Sequence, residues 1–525
     1  MRGARERPRC ASSQTGQTGA LAAFEPAKET GHVNDRIRRL AAVAIVLLGA
    51  LVVGTTYWQA WAVGDLAERQ DNAIRLVAQF TINRGLVYAS DGTVLAANRP
   101  KKVNGQTFYF RRYPSRDLAA NVVGYSTQSR FRTGLERSEN VYLTASNANL
   151  NTVLRRTLDR LQGKTVKGNA LVLTLVPKAQ RAALEALDGN CGAVVALEPA
   201  TGKVLVMATS PTYNPNLVER HFNRIGRIKA SCSPAAPLLN RATAGLFTPG
   251  SSFKIVTAAA ALDSGTFRPD STFHDRGYCI EYGKPVYNFS DQSGPERFGT
   301  VSFSQALQHS INAVFCEIGK KLGARRILDY ARRFGFYSLP PLETPGDERR
   351  ASGLYTRGRP FFPKHDYQVD PGRLAFGQER LQVTPLQMAM VAAAIGNRGV
   401  VMRPYVVDRV EAPGGGVVTR RKPEALGQAI KPKTAAELTR MMESVVTGGT
   451  GTAAQIPGVP VAGKTGTAET GVSHRNTTWF AAFAPAGAPK VAVAVVLENQ
   501  SGTGGATAAP IARTVLQTLL HRPTS

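Results

Sequence analysis

The chain is poor in the residues that metal and redox chemistry need. Its seven histidines include no H-E-x-x-H pair, and none of its five cysteines stands in C-x-x-C spacing. Zinc catalysis and dithiol chemistry therefore have no support, and neither a cofactor nor a metal is expected. Five cysteines leave at least one thiol unpaired; Cys10 lies in the N-terminal tail, while Cys191, Cys232, Cys279 and Cys316 can either pair or stay as buried thiols. Acidic residues are few as well: 37 Asp and Glu stand against 65 Lys and Arg, a formal net charge of +28, which favours polyanionic surroundings. Zinc-finger spacing, RNA-binding aromatic motifs and a basic leucine zipper are all missing, so nucleic acid is not the expected polyanion. No internal repeat is present. What remains is an ordinary globular composition, 43% hydrophobic and 19% charged, long enough for two to four folding units.

There is one long apolar run. Residues 40–57 read LAAVAIVLLGALVVGTTY, about the length that crosses a bilayer core. Arg36, Arg38 and Arg39 precede it and Asp65, Glu68 and Asp71 follow, so the positive-inside bias predicts a cytoplasmic tail at 1–38, a membrane helix at 39–60 and everything later outside the membrane. Anionic lipid or wall polymer then suits the basic surface. Two alternatives compete at this end: Ala60-Trp61-Ala62 has the form of a signal-peptide cleavage site, and translation starting at Val33 would remove the polar, aperiodic segment before it, which reads as disordered.

Beyond the span, helical periodicity at 69–79 gives way to NRGLVYASDGTVLAAN, two strand-like runs around the turn Asp91-Gly92. A small, basic mixed domain is predicted at 61–188, ending in a strand at 170–176 and a helix Pro177–Leu187 with proline in its first turn. In the segment 189–525, GAVVALEPATGKVLVMATSP is a hairpin, while VPVAGKTGTAE, TTWFAAFAP and KVAVAVVLEN are three further strands and APIARTVLQTLLH a closing helix. Helix and loop are expected between them. The fold class is α+β, with a five-stranded antiparallel sheet built from both ends of the domain and flanked by helices.

Three short motifs carry chemistry. Ser251 and Lys254 are three apart at the head of a predicted helix, so one turn brings both to the same face; a serine needs a neighbouring base to become a nucleophile, and a lysine kept neutral can serve. Alone, such a pair is usually a helix cap and a solvated lysine, but it is the one S-x-x-K in the chain. Ser310-Ile311-Asn312 supplies a hydroxyl that can relay a proton and an amide that can donate and accept. Ser138-Glu139-Asn140 has the same form but precedes Ser251. Lys464-Thr465-Gly466-Thr467 lies on a predicted strand, where the glycine is expected to clear space for a ligand approaching the backbone.

In this order the three motifs are those of penicillin-binding proteins and class A β-lactamases. The resemblance extends further: NRGLVYASDGTVLA, GLE at 134–136, GAVVALEPATGKVLVMATSPTYNPN, FTPGSSFK, FGQERLQVTPLQMA and AGKTGTAE resemble successive blocks of class B penicillin-binding proteins across most of residues 84–515. The short membrane-proximal domain looks most like actinobacterial members paired with a glycosyltransferase of the shape, elongation, division and sporulation (SEDS) class. Two departures are Ser252 for a commoner threonine and Phe376 before Gly377-Gln378. The resemblance implies a membrane-anchored D,D-transpeptidase acting on peptidoglycan stem peptides ending in D-Ala-D-Ala, and inhibited by β-lactams. It implies Ser251 as nucleophile and Lys254 as base, with Ser310 as proton carrier and Asn312 orienting Lys254 and substrate. Lys464, Thr465, Gly466 and Thr467 would bind the substrate carboxylate, with the backbone N–H groups of Ser251 and Thr467 as oxyanion hole. The alternatives are a D,D-carboxypeptidase or β-lactamase, in which water replaces the acceptor amine, and a non-catalytic β-lactam sensor or division scaffold.

Overall fold

The computed structural model describes residues 31–57, 80–146, 150–162, 165–291, 294–470 and 475–521. The helix expected at 69–79 and the tail before Gly31 lie outside them. Gly31–Tyr57 is one continuous helix. Its stretch Asp35–Tyr57, with a mean hydropathy of 2.2 over its most apolar 18 residues, is the one helix among the described residues long and apolar enough to cross a membrane. Residues 31–38, expected in a disordered tail, are helical: neither proline nor a further glycine interrupts the backbone pattern between Gly31 and the apolar run.

The sheet expected from the two ends of the C-terminal region is present. Its order is Ala462–Glu469, Asn476–Ala484, Val491–Gln500, Gly192–Leu197, Val204–Ser210, antiparallel throughout, with 462–469 at one edge. These strands read as continuous apolar runs because both faces are covered, so alternate residues enter two different cores. Val493 and Val495 pack with Ala508 and Leu516 of the C-terminal helix Gly504–Leu520 and with Ala179 and Ala183 of Pro177–Leu187. Ala492, Ala494 and Val496 join the core that holds Met388 and Val391. Those two belong to Pro385–Gly396, which Thr384 caps by accepting from Gln387 N and which is buried along nearly its whole length. Where helix and loop alone were expected between the sheet strands, several small ribbons also occur, such as the hairpin of Tyr278–Glu281 with Lys284–Tyr287. Four residues is too few for a period of two to stand out in sequence.

A second sheet of six strands occupies the small domain, in the order Val417–Arg420, Val407–Glu411, Ala170–Leu173, Val87–Tyr88, Val94–Val103, Gln106–Arg112. The turn at Asp91-Gly92 joins Val87–Tyr88 to Val94–Val103, as the sequence suggested. The other flank of the sheet is built from residues beyond 400, so the sheet of the small domain is completed by chain that follows it. Beside this sheet lies a buried ion cluster. Arg84 Nε and Arg111 Nε donate to the two carboxylate oxygens of Glu136 at 2.6 and 2.7 Å. Burial alone would raise the Glu136 carboxyl, but the guanidiniums of Arg111 and Arg84 outweigh it and hold the group below its ordinary range. Arg84 Nη1 also donates to Asn140 Oδ1 at 2.6 Å, so the asparagine of Ser138-Glu139-Asn140 is engaged in structure. The small domain meets the larger one through Gly134 N, which donates to both oxygens of Glu348 at 3.0 and 3.1 Å, and through Asn240 Nδ2, which donates to Asn121 O at 3.0 Å.

Candidate active site

Ser251 lies on a tight turn, Gly250–Phe253, that runs directly into the helix Lys254–Asp263. Backbone holds this turn from two sides. Gly250 N donates to Gly377 O at 3.1 Å, and Gly377 has φ +80° with Gly250 O only 2.0 Å from where a Cβ would sit. On the other side, a Cβ at Gly466 would meet Pro249 O at 2.7 Å and Ser252 N at 2.9 Å. The glycine of Lys464-Thr465-Gly466 is therefore required by the serine's own turn, a neighbour that the strand pattern did not reveal. The same packing sets the Ser251 turn against Thr467.

Lys254 is 0% exposed, one helical turn from Ser251. Its Nζ donates to Ser310 O at 2.6 Å and Asn312 Oδ1 at 2.7 Å, with Ser310 Oγ at 3.3 Å. Burial, and then the charge of Lys464, push the amine well below its ordinary range. Ser310 occupies the corner between Phe303–Gln308 and Asn312–Leu322 at φ +61°, a left-handed conformation that lets its carbonyl and hydroxyl both face lysines. Ser302 and Gln305 form a capping box that starts the first of these helices.

Lys464, also 0% exposed, reaches the same hydroxyl from the edge strand: its Nζ donates to Ser310 Oγ at 2.9 Å and to Thr465 O at 3.1 Å. Burial pushes it down to about 7. Thr465 Oγ1 is 2.6 Å from Thr450 Oγ1, and Thr467 Oγ1 accepts from Gly504 N at 3.1 Å. All three motifs, drawn from three elements, thus converge on one hydroxyl held between two buried amines.

Sequence reasoning missed the layer behind them. Asn288 Oδ1 accepts from Ala313 N at 2.9 Å, while Asn288 Nδ2 donates to the two oxygens of Asp275 at 3.1 and 2.9 Å. No motif marks either residue. The cysteine question left open by the sequence is answered by two disulfides, Cys191–Cys232 and Cys279–Cys316.

A serine one helical turn from a buried lysine whose pKa is pushed down, with a second proton carrier opposite, can be acylated and deacylated without histidine; this chemistry defines the lysine-dependent serine acyltransferases. Comparison with known proteins narrows the class. The profile of the penicillin binding protein transpeptidase domain matches residues 192–517, and that of the penicillin binding protein A dimerisation domain matches 84–171. The chain is 36% identical to peptidoglycan D,D-transpeptidase PbpA of Mycolicibacterium smegmatis over 93% of its own length and 99% of that protein. It is 35% identical to the PbpA of Mycobacterium tuberculosis, with the same coverage. Penicillin-binding protein A of M. tuberculosis, solved as a ceftriaxone acyl-enzyme, superposes with a TM-score of 0.75 at 33% identity, covering 85% of this chain and all of that one. The chain belongs to the penicillin-binding protein transpeptidase family.

Proposed function

We propose that this chain is a peptidoglycan D,D-transpeptidase in which Ser251 attacks the carbonyl between the two terminal D-alanines of a stem peptide. The observation that carries the assignment is the set of partners around Lys254. A protonated lysine has only N–H groups to offer, whereas a neutral one has two N–H groups and a lone pair. Ser310 O and Asn312 Oδ1 accept two N–H groups at 2.6 and 2.7 Å, with Ser310 Oγ the third and longest contact at 3.3 Å; in the neutral amine, which burial favours, the lone pair remains to take the Ser251 proton. Ser310 then passes a proton to the departing D-alanine amine. Lys464, Thr465 and Thr467 hold the terminal carboxylate, and the backbone N–H groups of Ser251 and Thr467 stabilise the oxyanion. An amine from a neighbouring stem resolves the ester. A β-lactam acylates the same serine but keeps its leaving group tethered, so that ester persists; the acyl-enzyme of the M. tuberculosis relative supports this reading.

The charge pattern around the span supports a topology with residues 1–38 in the cytoplasm, 39–60 in the membrane and the rest outside, divided near 188 into a pedestal and a catalytic domain. The family resemblance supports a SEDS-class glycosyltransferase as the membrane partner that supplies glycan chains. Two assays test the function: fluorescent-penicillin labelling of the chain and of Ser251→Ala, and D-alanine release from a stem peptide with and without an amine acceptor. Labelling confined to the parent, with a cross-linked product only when acceptor is present, is expected. A folded Ser251→Ala protein that still labels would overturn the nucleophile, and release without cross-linking would make the enzyme a hydrolase.

A further inference from the structure

Asn312 does not stand on its helix alone. Three separate connections join the first turns of Asn312–Leu322 to the hairpin formed by Tyr278–Glu281 and Lys284–Tyr287 and the residue just after it. Asn312 Nδ2 donates to Tyr287 O at 3.2 Å, which fixes which end of the amide faces Lys254. Asn288 Oδ1 accepts from Ala313 N at 2.9 Å, satisfying one of the free amides at that helix start. Cys316, one turn beyond Asn312 and on the same face, is bonded to Cys279 in the hairpin. The open end of the hairpin is anchored in turn, because the Asp275 carboxylate accepts from Gly277 N, from Phe298 N and, through both oxygens, from Asn288 Nδ2.

The sulfur bridge is the strongest of these links and the one with no counterpart among the motifs. Cys279 and Cys316 are buried. The hairpin itself is two four-residue strands with Tyr282 and Tyr287 exposed, so it has little core of its own to fix it in place. Covalent attachment to Asn312–Leu322 is what a small, largely exposed ribbon needs if it is to hold an amide within a few tenths of an ångström.

We infer that the Cys279–Cys316 disulfide, with Asn288, is a positioning device for acylation: it clamps the 278–287 hairpin onto the helix that carries Asn312 and so holds that amide against Lys254. The inference rests on the role proposed for Asn312. With the clamp open, the hairpin withdraws Tyr287 O, the Asn312 amide can turn, and water reaches Lys254. The charged group facing Lys254 is Lys464, from the edge strand; Ser310, Asn312 and Phe315, its other neighbours, carry no charge. Hydration therefore acts in one direction. It relieves the burial that keeps the amine neutral, so the base regains its proton at a higher pH than in the parent.

The test compares acylation of the full chain in detergent by a fluorescent penicillin as a function of pH for the parent, Cys279→Ala/Cys316→Ala and, as a control for losing any disulfide, Cys191→Ala/Cys232→Ala. Labelling of the parent at Ser251 tests the assignment of function by itself; only the differences between variants bear on the clamp. The Cys279/Cys316 variant is expected to acylate roughly ten- to a hundredfold more slowly at neutral pH, the scale of a misplaced catalytic group. Its acid limb should also lie at higher pH, while the control keeps the parent's limb. Should the variant not fold, the folded Cys191→Ala/Cys232→Ala protein is treated with a dithiol, which is oxidised to its own disulfide while Cys279 and Cys316 each gain a hydrogen; the thiols are then alkylated and the profile is compared with that of the same protein before reduction. A parent-like rate and limb without the bridge, or the same limb displacement in both disulfide variants, would overturn the proposal.

Discussion

Ser310→Ala separates two roles that the site geometry assigns to different atoms of one residue. The hydroxyl lies 2.9 Å from Lys464 Nζ and 3.3 Å from Lys254 Nζ, whereas the shortest bond to Lys254, at 2.6 Å, is made by the Ser310 carbonyl and survives any substitution. Asn312 Oδ1 also keeps its 2.7 Å contact. Alanine therefore removes the longest of the three contacts around the base and leaves its orientation intact. If the hydroxyl only helps to hold the lysines, the loss is chiefly its 2.9 Å hydrogen bond to Lys464, the 3.3 Å contact to Lys254 being weak, which is about 0.5–1.5 kcal/mol, or at most roughly tenfold in rate. If it carries the proton to the departing nitrogen, the loss is that of a general acid, about 10² or more. We expect at least a hundredfold fall in the second-order rate of acylation by a fluorescent penicillin, measured by stopped flow at neutral pH. Because Ser310 sits at φ +61°, Ser310→Gly is the matching variant: glycine accepts that conformation without strain, so it should lose as much rate without losing melting temperature. A fall of less than about tenfold in both variants would refute the relay and leave Ser310 a structural corner.

Lys254→Ala should lower acylation by about 10² to 10⁴, and in the parent the rate should fall as pH drops through the depressed pKa of Lys254, because the reactive form is the neutral one; a rate that rises on acidification would contradict a lysine base. Lys464→Gln should slow a free-carboxylate penicillin roughly ten- to a hundredfold more than the uncharged ester of the same penicillin, the worth of one charge-assisted hydrogen bond. Equal losses would mean that Lys464 serves Ser310 and does not read the carboxylate. Glu136→Ala leaves Arg84 and Arg111 buried without their anion and should destabilise the fold by about 3–5 kcal/mol in a chemical denaturation series, with the penicillin site of the surviving folded fraction unaltered.

How far the sequence reached depended on how local the information was. The motifs were legible because each is three or four contiguous residues whose backbone state is set locally: Ser251 and Lys254 share a helical turn, and Lys464 to Thr467 share a strand. The central sheet was legible because its strands are long and hydrophobic, although the apolar runs at 192–197 and 491–497 gave no hint that each feeds two cores. What stayed hidden was pairing at a distance. Asp275 and Asn288 look like turn residues until the fold sets Asn288 on Ala313 N with Asp275 behind it. The cysteines carry no spacing signal because their partners are 41 and 37 residues away. Gly466 stood out within its strand, but nothing local reveals that Pro249 and Ser252 press against it.

The six-stranded sheet bears on how the protein is made. Ala170–Leu173 is flanked on one side by Val87–Tyr88, synthesised before it, and on the other by Val407–Glu411, which the ribosome reaches only after most of the catalytic region. At about 5–20 residues per second that interval is roughly 10–50 s. For its duration one edge of Leu171, Val172 and Leu173, buried in the finished protein, has no strand to pair with. A nascent chain in this state presents a short apolar template to any extended peptide nearby, so a chaperone that shields sheet edges would act on the small domain, even though that domain leaves the ribosome first.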